Sequence, residues 1–339
     1  MIFDTIERRK KRFIRNKYPN MKKIIFISIL LIFNTLAHSQ KKATDLGNAE
    51  MEQLTQLETQ ISELAKKLVN DTLVAERLAA QEKILPLVKQ ALSVPNSFNY
   101  AFDKLENISV QTPNDRSFRI FTWQLFIDQG NYKYFGFIQP NRSKSTFYEL
   151  KDNAKDIQKP ETQLLTADKW FGCLYYNIKQ FKTKDGEKYL LFGYNAHDTI
   201  EKIKLVDVLN MKGGAPKFGS NQAFEIKEYG KPKKVNRLLF YHSYDASMRL
   251  NFDEEMNMIV HDHLEDIASR DPSVPTVGVP DGTYEAFKLE KGVWVHIDKL
   301  ANTEMDEAPR PKPVIGRTKM VNKEDVNKIE WPDEVKKKQ

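Results

Sequence analysis

Residues 171–194, FGCLYYNIKQFKTKDGEKYLLFGY, set the pattern for most of the chain. Phe171 to Lys182 is rich in aromatic and apolar side chains and reads as one long strand. Asp185-Gly186 supplies two positions that tolerate a positive φ, and Tyr189 to Tyr194 then returns as a second strand. The unit is an antiparallel hairpin, and the same plan recurs on either side. Upstream, Phe118 to Ile127 and Tyr132 to Ile138 flank the turn Asp128-Gln129-Gly130-Asn131. Downstream come Ile203 to Leu209 and Ala223 to Ile226, parted by Gly213-Gly214 and Gly219. Arg237 to Tyr244, Met248 to Phe252 and Met256 to His263 follow. The last pair, Thr283 to Leu289 and Val293 to Ile297, turns at Glu290-Lys291-Gly292. Strand pairs separated by turn signals predict a mainly β domain over 95–300 in a chain that is α+β overall. The expected form is an antiparallel meander, either a sandwich or a small propeller.

Working outward toward the N-terminus, the period changes from two to three and four. Leu54, Leu57, Ile61, Leu64 and Leu68 share one helical face, and Leu73, Leu78, Ile84, Leu85, Val88 and Leu92 form a second apolar set. Asn70-Asp71-Thr72 offers a break with an N-cap candidate, and Pro86 predicts a kink or boundary. Residues 40–94 are therefore expected to form a helical hairpin or one bent helix.

The two ends read differently. Met21-Lys22-Lys23, the apolar run Ile24 to Phe33, and Ala37-His38-Ser39 predict a secretory signal peptide over 21–39, with a mature start near Gln40. Its apolar core is shorter than the roughly 20 residues of a membrane-spanning helix, so no stable span is expected after cleavage. Residues 1–20 carry a basic block from Arg8 to Lys17. It reads as a charged leader or as untranslated sequence ahead of a true start at Met21. Residues 301–339, with Pro309, Pro311 and Pro313 among charges and Lys336 to Lys338 near the end, read as a flexible charged tail.

The formal charge of +7 belongs to the leader. Residues 1–39 hold nine of the 53 Lys and Arg and two of the 46 Asp and Glu, so 44 of each remain beyond them. A neutral mature chain lacks the concentrated basic charge that phosphate backbones require, so nucleic acid is not an expected partner. Cys173 is the single cysteine, which rules out an intrachain disulfide and a Cys-based zinc site. It lies in an apolar run and reads as a buried structural thiol.

No His-Glu-x-x-His, Gly-x-Ser-x-Gly, Walker or Gly-x-Gly-x-x-Gly pattern occurs, nor an EF-hand loop. One constellation follows from strand parity. If Met248–Phe252 pairs with Met256–Val260 around Asp253-Glu254-Glu255, then Met248, Leu250 and Phe252 face the core with Met256, Met258 and Val260. The opposite, solvent-facing side carries His261 across from Ser247 and His263 across from Asp245. Two imidazoles and a carboxylate suit a divalent metal such as zinc, and Ser, His and Asp suit hydrolysis. The plainer alternative is a polar outer face with cross-strand pairs. Aromatic clusters around Trp123 and Trp170 suggest a sugar platform or, alternatively, core packing.

The segments Phe118-Arg119-Ile120-Phe121-Thr122-Trp123, Trp170 to Tyr176, Tyr189 to Tyr194, and Asp281-Gly282-Thr283-Tyr284 with Trp294 resemble exported β-rich proteins of bacteroidete-type bacteria over residues 95–300. That resemblance implies the compartment and the β fold, and carries no activity or site residue. The combined expectation is a non-enzymatic binding or structural protein of the cell envelope or secretome, periplasmic or extracellular, with an envelope protein or glycan as partner. The alternatives are a metal-dependent or Ser/His hydrolase using Asp245, His261 and His263, and a carbohydrate-binding module.

Overall fold

A computed structural model describes residues 46–142, 145–228, 230–268 and 275–300. The expectations for the leader, the signal peptide and the C-terminal tail lie outside those residues. Helices α1 (Asn48–Asn70) and α2 (Val74–Ser93) form the expected hairpin. Leu54, Leu57, Ile61 and Leu68 are buried along α1, as their spacing requires. The break is closed by Asp71, whose carboxylate accepts a hydrogen bond from the Leu73 N–H at 2.9 Å.

The second helix follows its apolar pattern at Ile84, Val88 and Leu92, which are buried, and departs from it near its start. Leu73 and Leu78 are exposed, while Arg77 and Gln81 are buried. Arg77 caps strand carbonyls at Phe126 and Ile127, and Gln81 accepts the Trp123 indole N–H at 2.8 Å. Hydrogen bonds to the neighbouring sheet thus bring these two polar side chains onto the buried face. Pro86 lies inside α2 without ending it. One missing N–H is tolerated because the helix is packed along its length.

The strands are β1 (Ser109–Gln111), β2 (Phe118–Asp128), β3 (Asn131–Pro140), β4 (Tyr148–Lys151), β5 (Leu165–Thr166), β6 (Leu174–Thr183), β7 (Gly186–Asn195) and β8 (Glu201–Asn210). They continue as β9 (Lys217–Phe218), β10 (Phe224–Glu228), β11 (Lys231–Val235), β12 (Leu238–Ser243), β13 (Leu250–Asp253), β14 (Met258–Ile267), β15 (Val277–Glu290) and β16 (Val293–Ile297). The first sheet has the order β1-β2-β3-β4. The second runs β5-β9-β8-β7-β6, with β12 added on β8. The third runs β11-β10-β16-β15-β14-β13.

Strand parity stacks these sheets into layers. Odd positions of β2 (Phe121, Trp123, Leu125) pack against the helices, and even positions (Phe118, Ile120) pack against the second sheet. Leu205 and Leu209 of β8 join that inner core. Val206 and Val208 point the other way, to Phe224, Ile259, Phe287 and Trp294 of the third sheet. The order is helices, sheet, sheet, sheet, so the second sheet is buried on both faces. The architecture is mainly β and sandwich-like.

Three features differ from the expected meander. Strand β12 leaves its sequence neighbours and pairs with β8. Strands β10 and β16 pair in parallel, so the third sheet is mixed. The β13–β14 hairpin pairs Leu250 with His261 and Asp253 with Met258. The expected register paired Ser247 with His261, so the true one is displaced by three residues. The cause is a longer turn: the Asp253 carboxylate accepts the Glu255 and Met256 N–H groups, and Asn257 takes a φ of 53°. An odd displacement exchanges the faces of a strand. His261 therefore joins Leu250 on the core side.

Candidate functional site

A cleft of about 1060 Å³ opens where the core between the second and third sheets runs out, and β1 with the segment before it forms its outer wall. Position by position, β8 leads into it. Val208 and Val206 are core, and the next residue on that face is Lys204. Lys204 stands between its cross-strand partners Tyr194 and Phe240. Its Nζ lies 4.4 Å from the ring centroid of Tyr176 and 5.5 Å from that of Tyr194. Among the described residues no carboxylate pairs with it. Burial pushes its ammonium down to about 8. Tyr194 is pushed up to about 12, first by burial and then by the neighbouring Tyr132 and Tyr244.

The walls are tied by polar contacts. A β-bulge between Tyr175 and Asn177 re-aims Tyr176 toward the cleft, where its hydroxyl donates to the Leu250 carbonyl at 2.7 Å. Asn177 donates to Asn251 at 2.6 Å, so β6 is fastened to β13. Ser109 donates to the Tyr175 carbonyl at 2.6 Å, and the Tyr175 N–H donates to Thr122, which fastens β6 to the first sheet. Gln124 also lines the cleft, and its side-chain carbonyl oxygen is buried without a hydrogen-bond partner.

His261 forms part of the opposite wall and belongs to a second polar group. It sits directly across from Glu285 on β15, and His296 projects from β16 beside Phe287. Glu285 Oε2 is 3.0 Å from His296 Nε2 and 3.8 Å from His261 Nε2, while Oε1 is 2.9 Å from His263 Nδ1. His263 reaches that carboxylate because the β14–β15 ladder is irregular between Asp262 and Leu264. His261 is only 3% exposed, with its ring centroid 4.4 Å from that of Phe240. Burial pushes its imidazolium down to about 4, against smaller raising effects from the Asp262 carbonyl and Glu285. Burial alone would raise the Glu285 carboxyl. Hydrogen bonding and charge from His296, helped by His261 and His263, outweigh it, and the group titrates below its ordinary value.

The three residues anticipated as metal ligands separate. His261 and His263 do meet at one carboxylate, but it is Glu285. Asp245 is exposed in the turn after β12 and is not in the group. The solvent-face assignment of His261 fails because of the hairpin register. Strand parity alone offered no route to Glu285 and His296, since the β14–β15 pairing is irregular and spans a long connection. Trp123, Trp170 and Trp294 are buried, so none of these indoles forms an exposed platform for sugar. Cys173 is buried and its thiol is pushed well up by desolvation, as expected of a structural cysteine. No described helix is long and apolar enough to cross a membrane. No protein-family model, curated protein or solved structure matches this chain.

Proposed function

We propose that this chain is an exported binding protein whose cleft takes a small ligand with a flat apolar body and one anionic group. The observation that carries this reading is Lys204. An ammonium set among aromatic rings and apolar strands loses hydration, and that loss is offset when an anion meets it. Tyr176 and Tyr194 supply only the weaker attraction of their ring faces. The cleft has the size and mixed lining of a small-molecule site, which typically spans about 300–1,000 Å³. Export is supported by the signal-peptide pattern at 21–39, and an N-terminus other than Gln40 on the protein recovered from the periplasm or medium would count against it.

The hydrolase alternative called for Asp245, His261 and His263 in one site, and Asp245 stands apart. A glycan ligand finds no exposed indole among the described residues. Binding therefore has more support than either. The test uses two fluorescent naphthalene probes, 1-anilinonaphthalene-8-sulfonate and its uncharged relative N-phenyl-1-naphthylamine. Lys204→Met is expected to weaken the sulfonate about tenfold, a change of roughly 1.4 kcal/mol, and to leave the neutral probe unchanged. Equal affinities for the sulfonate in both proteins would remove Lys204 from the site.

A further inference from the structure

We propose that His261, Glu285 and His296 form a binding site for one divalent transition-metal ion of the zinc type. The three come from adjacent strands of one sheet, β14, β15 and β16, so the backbone ladder fixes their separation. One nitrogen from each histidine and one carboxylate oxygen all lie within 4.8 Å of one another. Ligand atoms around a tetrahedral zinc stand roughly 3.3 Å apart, given bonds of about 2.0–2.1 Å. The separations of 3.0 Å and 3.8 Å from Glu285 Oε2 to the two histidines bracket that value.

The stronger argument is chemical. The Nδ1 of His261 lies 2.9 Å from the Asp262 carbonyl oxygen, which only accepts. That contact places the ring proton on Nδ1 and leaves Nε2 as a bare lone pair. This Nε2 is buried, has no hydrogen-bond partner, and faces a carboxylate oxygen, itself an acceptor. Two acceptors turned toward each other inside a protein call for a cation between them. His296 differs: its Nε2 already makes a hydrogen bond to Glu285 Oε2 at 3.0 Å, with the carboxylate accepting, and a bound ion would take the place of that proton. Its Nδ1 lies 3.3 Å from Asp298 Oδ1 without a hydrogen bond, so only His261 is held at its outer nitrogen. Metal-binding histidines are characteristically held at the outer nitrogen by a carbonyl or carboxylate. His263 steadies the other Glu285 oxygen.

Three protein ligands of this composition leave a fourth position for water or for a ligand in the adjoining cleft, which His261 also lines. Imidazole with carboxylate suits zinc and its neighbours better than calcium or magnesium, which prefer oxygen alone. The site is argued from the histidine group itself and does not depend on the reading of Lys204.

The experiment uses the untagged full chain after chelator treatment. Zinc is titrated calorimetrically, and cobalt is followed by its visible absorption. One ion per chain is expected. Glu285→Gln and His296→Ala are expected to weaken binding at least a hundredfold, and His263→Ala about tenfold. Lys204→Met should leave metal affinity unchanged, which separates this site from the cleft reading. Circular dichroism of each metal-free variant confirms that it is folded. Absence of saturable one-to-one binding by the folded wild-type chain would overturn the proposal. So would unchanged affinity in both folded Glu285→Gln and His296→Ala.

Discussion

On β8, Lys204 and Asp207 place charges on a strand whose two faces are both buried. Asp207 falls on the inner-core face and is answered by Arg237, with both side chains fully buried and 2.8 Å between Arg237 Nε and the carboxylate. Lys204 falls on the other face, against the rings of Tyr176 and Tyr194 and, among the described residues, with no carboxylate to answer it. The segment Ile203 to Leu209 was legible as a strand, but its central position was not. Only a strand covered on both sides makes those charges informative. His242 poses a related question on β12. It is buried, its Nε2 has no partner, and its imidazolium is pushed down, first by burial and further by Lys204 and Lys202, against the Ser243 carbonyl. A depressed folded value means the unfolded chain binds protons first as pH falls. The stability linked to His242 is therefore complete above about pH 6.5 and declines as acid titrates the unfolded histidine. Urea unfolding across pH 5–7.5 should show a shallower acid decline in His242→Leu than in wild type, and identical slopes would contradict this account.

Among the elements, the hairpins with compact turns were readable and those with extended turns were not. Asp185-Gly186 set the β6–β7 ladder, which pairs Thr183 with Gly186. The β13–β14 turn was not settled by its acidic loop, because Asp253 hydrogen bonding and the left-handed Asn257 lengthen it. That single difference moved His261 from the solvent side to the core. The pairing of β12 with β8 was hidden for another reason. It depends on Asn236 and Arg237, whose N–H groups both donate to the Glu161 carbonyl, and on Arg237 reaching the Pro160 carbonyl as well as Asp207. Long-range polar clamps of this kind leave no local period in sequence. Breaking one partner of a buried ion pair strands the other, at a cost of about 3–5 kcal/mol. Asp207→Asn should lose that much stability in urea unfolding, and a loss under about 1 kcal/mol would mean the clamp is not what holds β12 in place.

For the whole molecule, layering connects sequence to site. The mainly β class, the helical hairpin and most strand positions followed from periodicity, because each sheet must bury one or both faces. The stacking order did not follow, since it requires knowing which face of β2 meets the helices. The cleft exists because that stack has an end. The core between the second and third sheets stops at Lys204 on one side and His261 on the other, and β1 with its preceding segment closes the third wall. Lys204 thus marks the site chemically as well as geometrically. With its ammonium lowered to about 8, it should react at pH 8 ahead of ordinary surface lysines toward an N-hydroxysuccinimide ester. The decisive measurement is the rate of that acylation, read peptide by peptide by mass spectrometry, with and without saturating 1-anilinonaphthalene-8-sulfonate. Occupation of the cleft predicts at least tenfold protection at Lys204, with surface lysines such as Lys151 and Lys227 unaffected. Labelling of Lys204 at the same rate in both samples would show that the anion binds elsewhere and that the cleft is not the binding site.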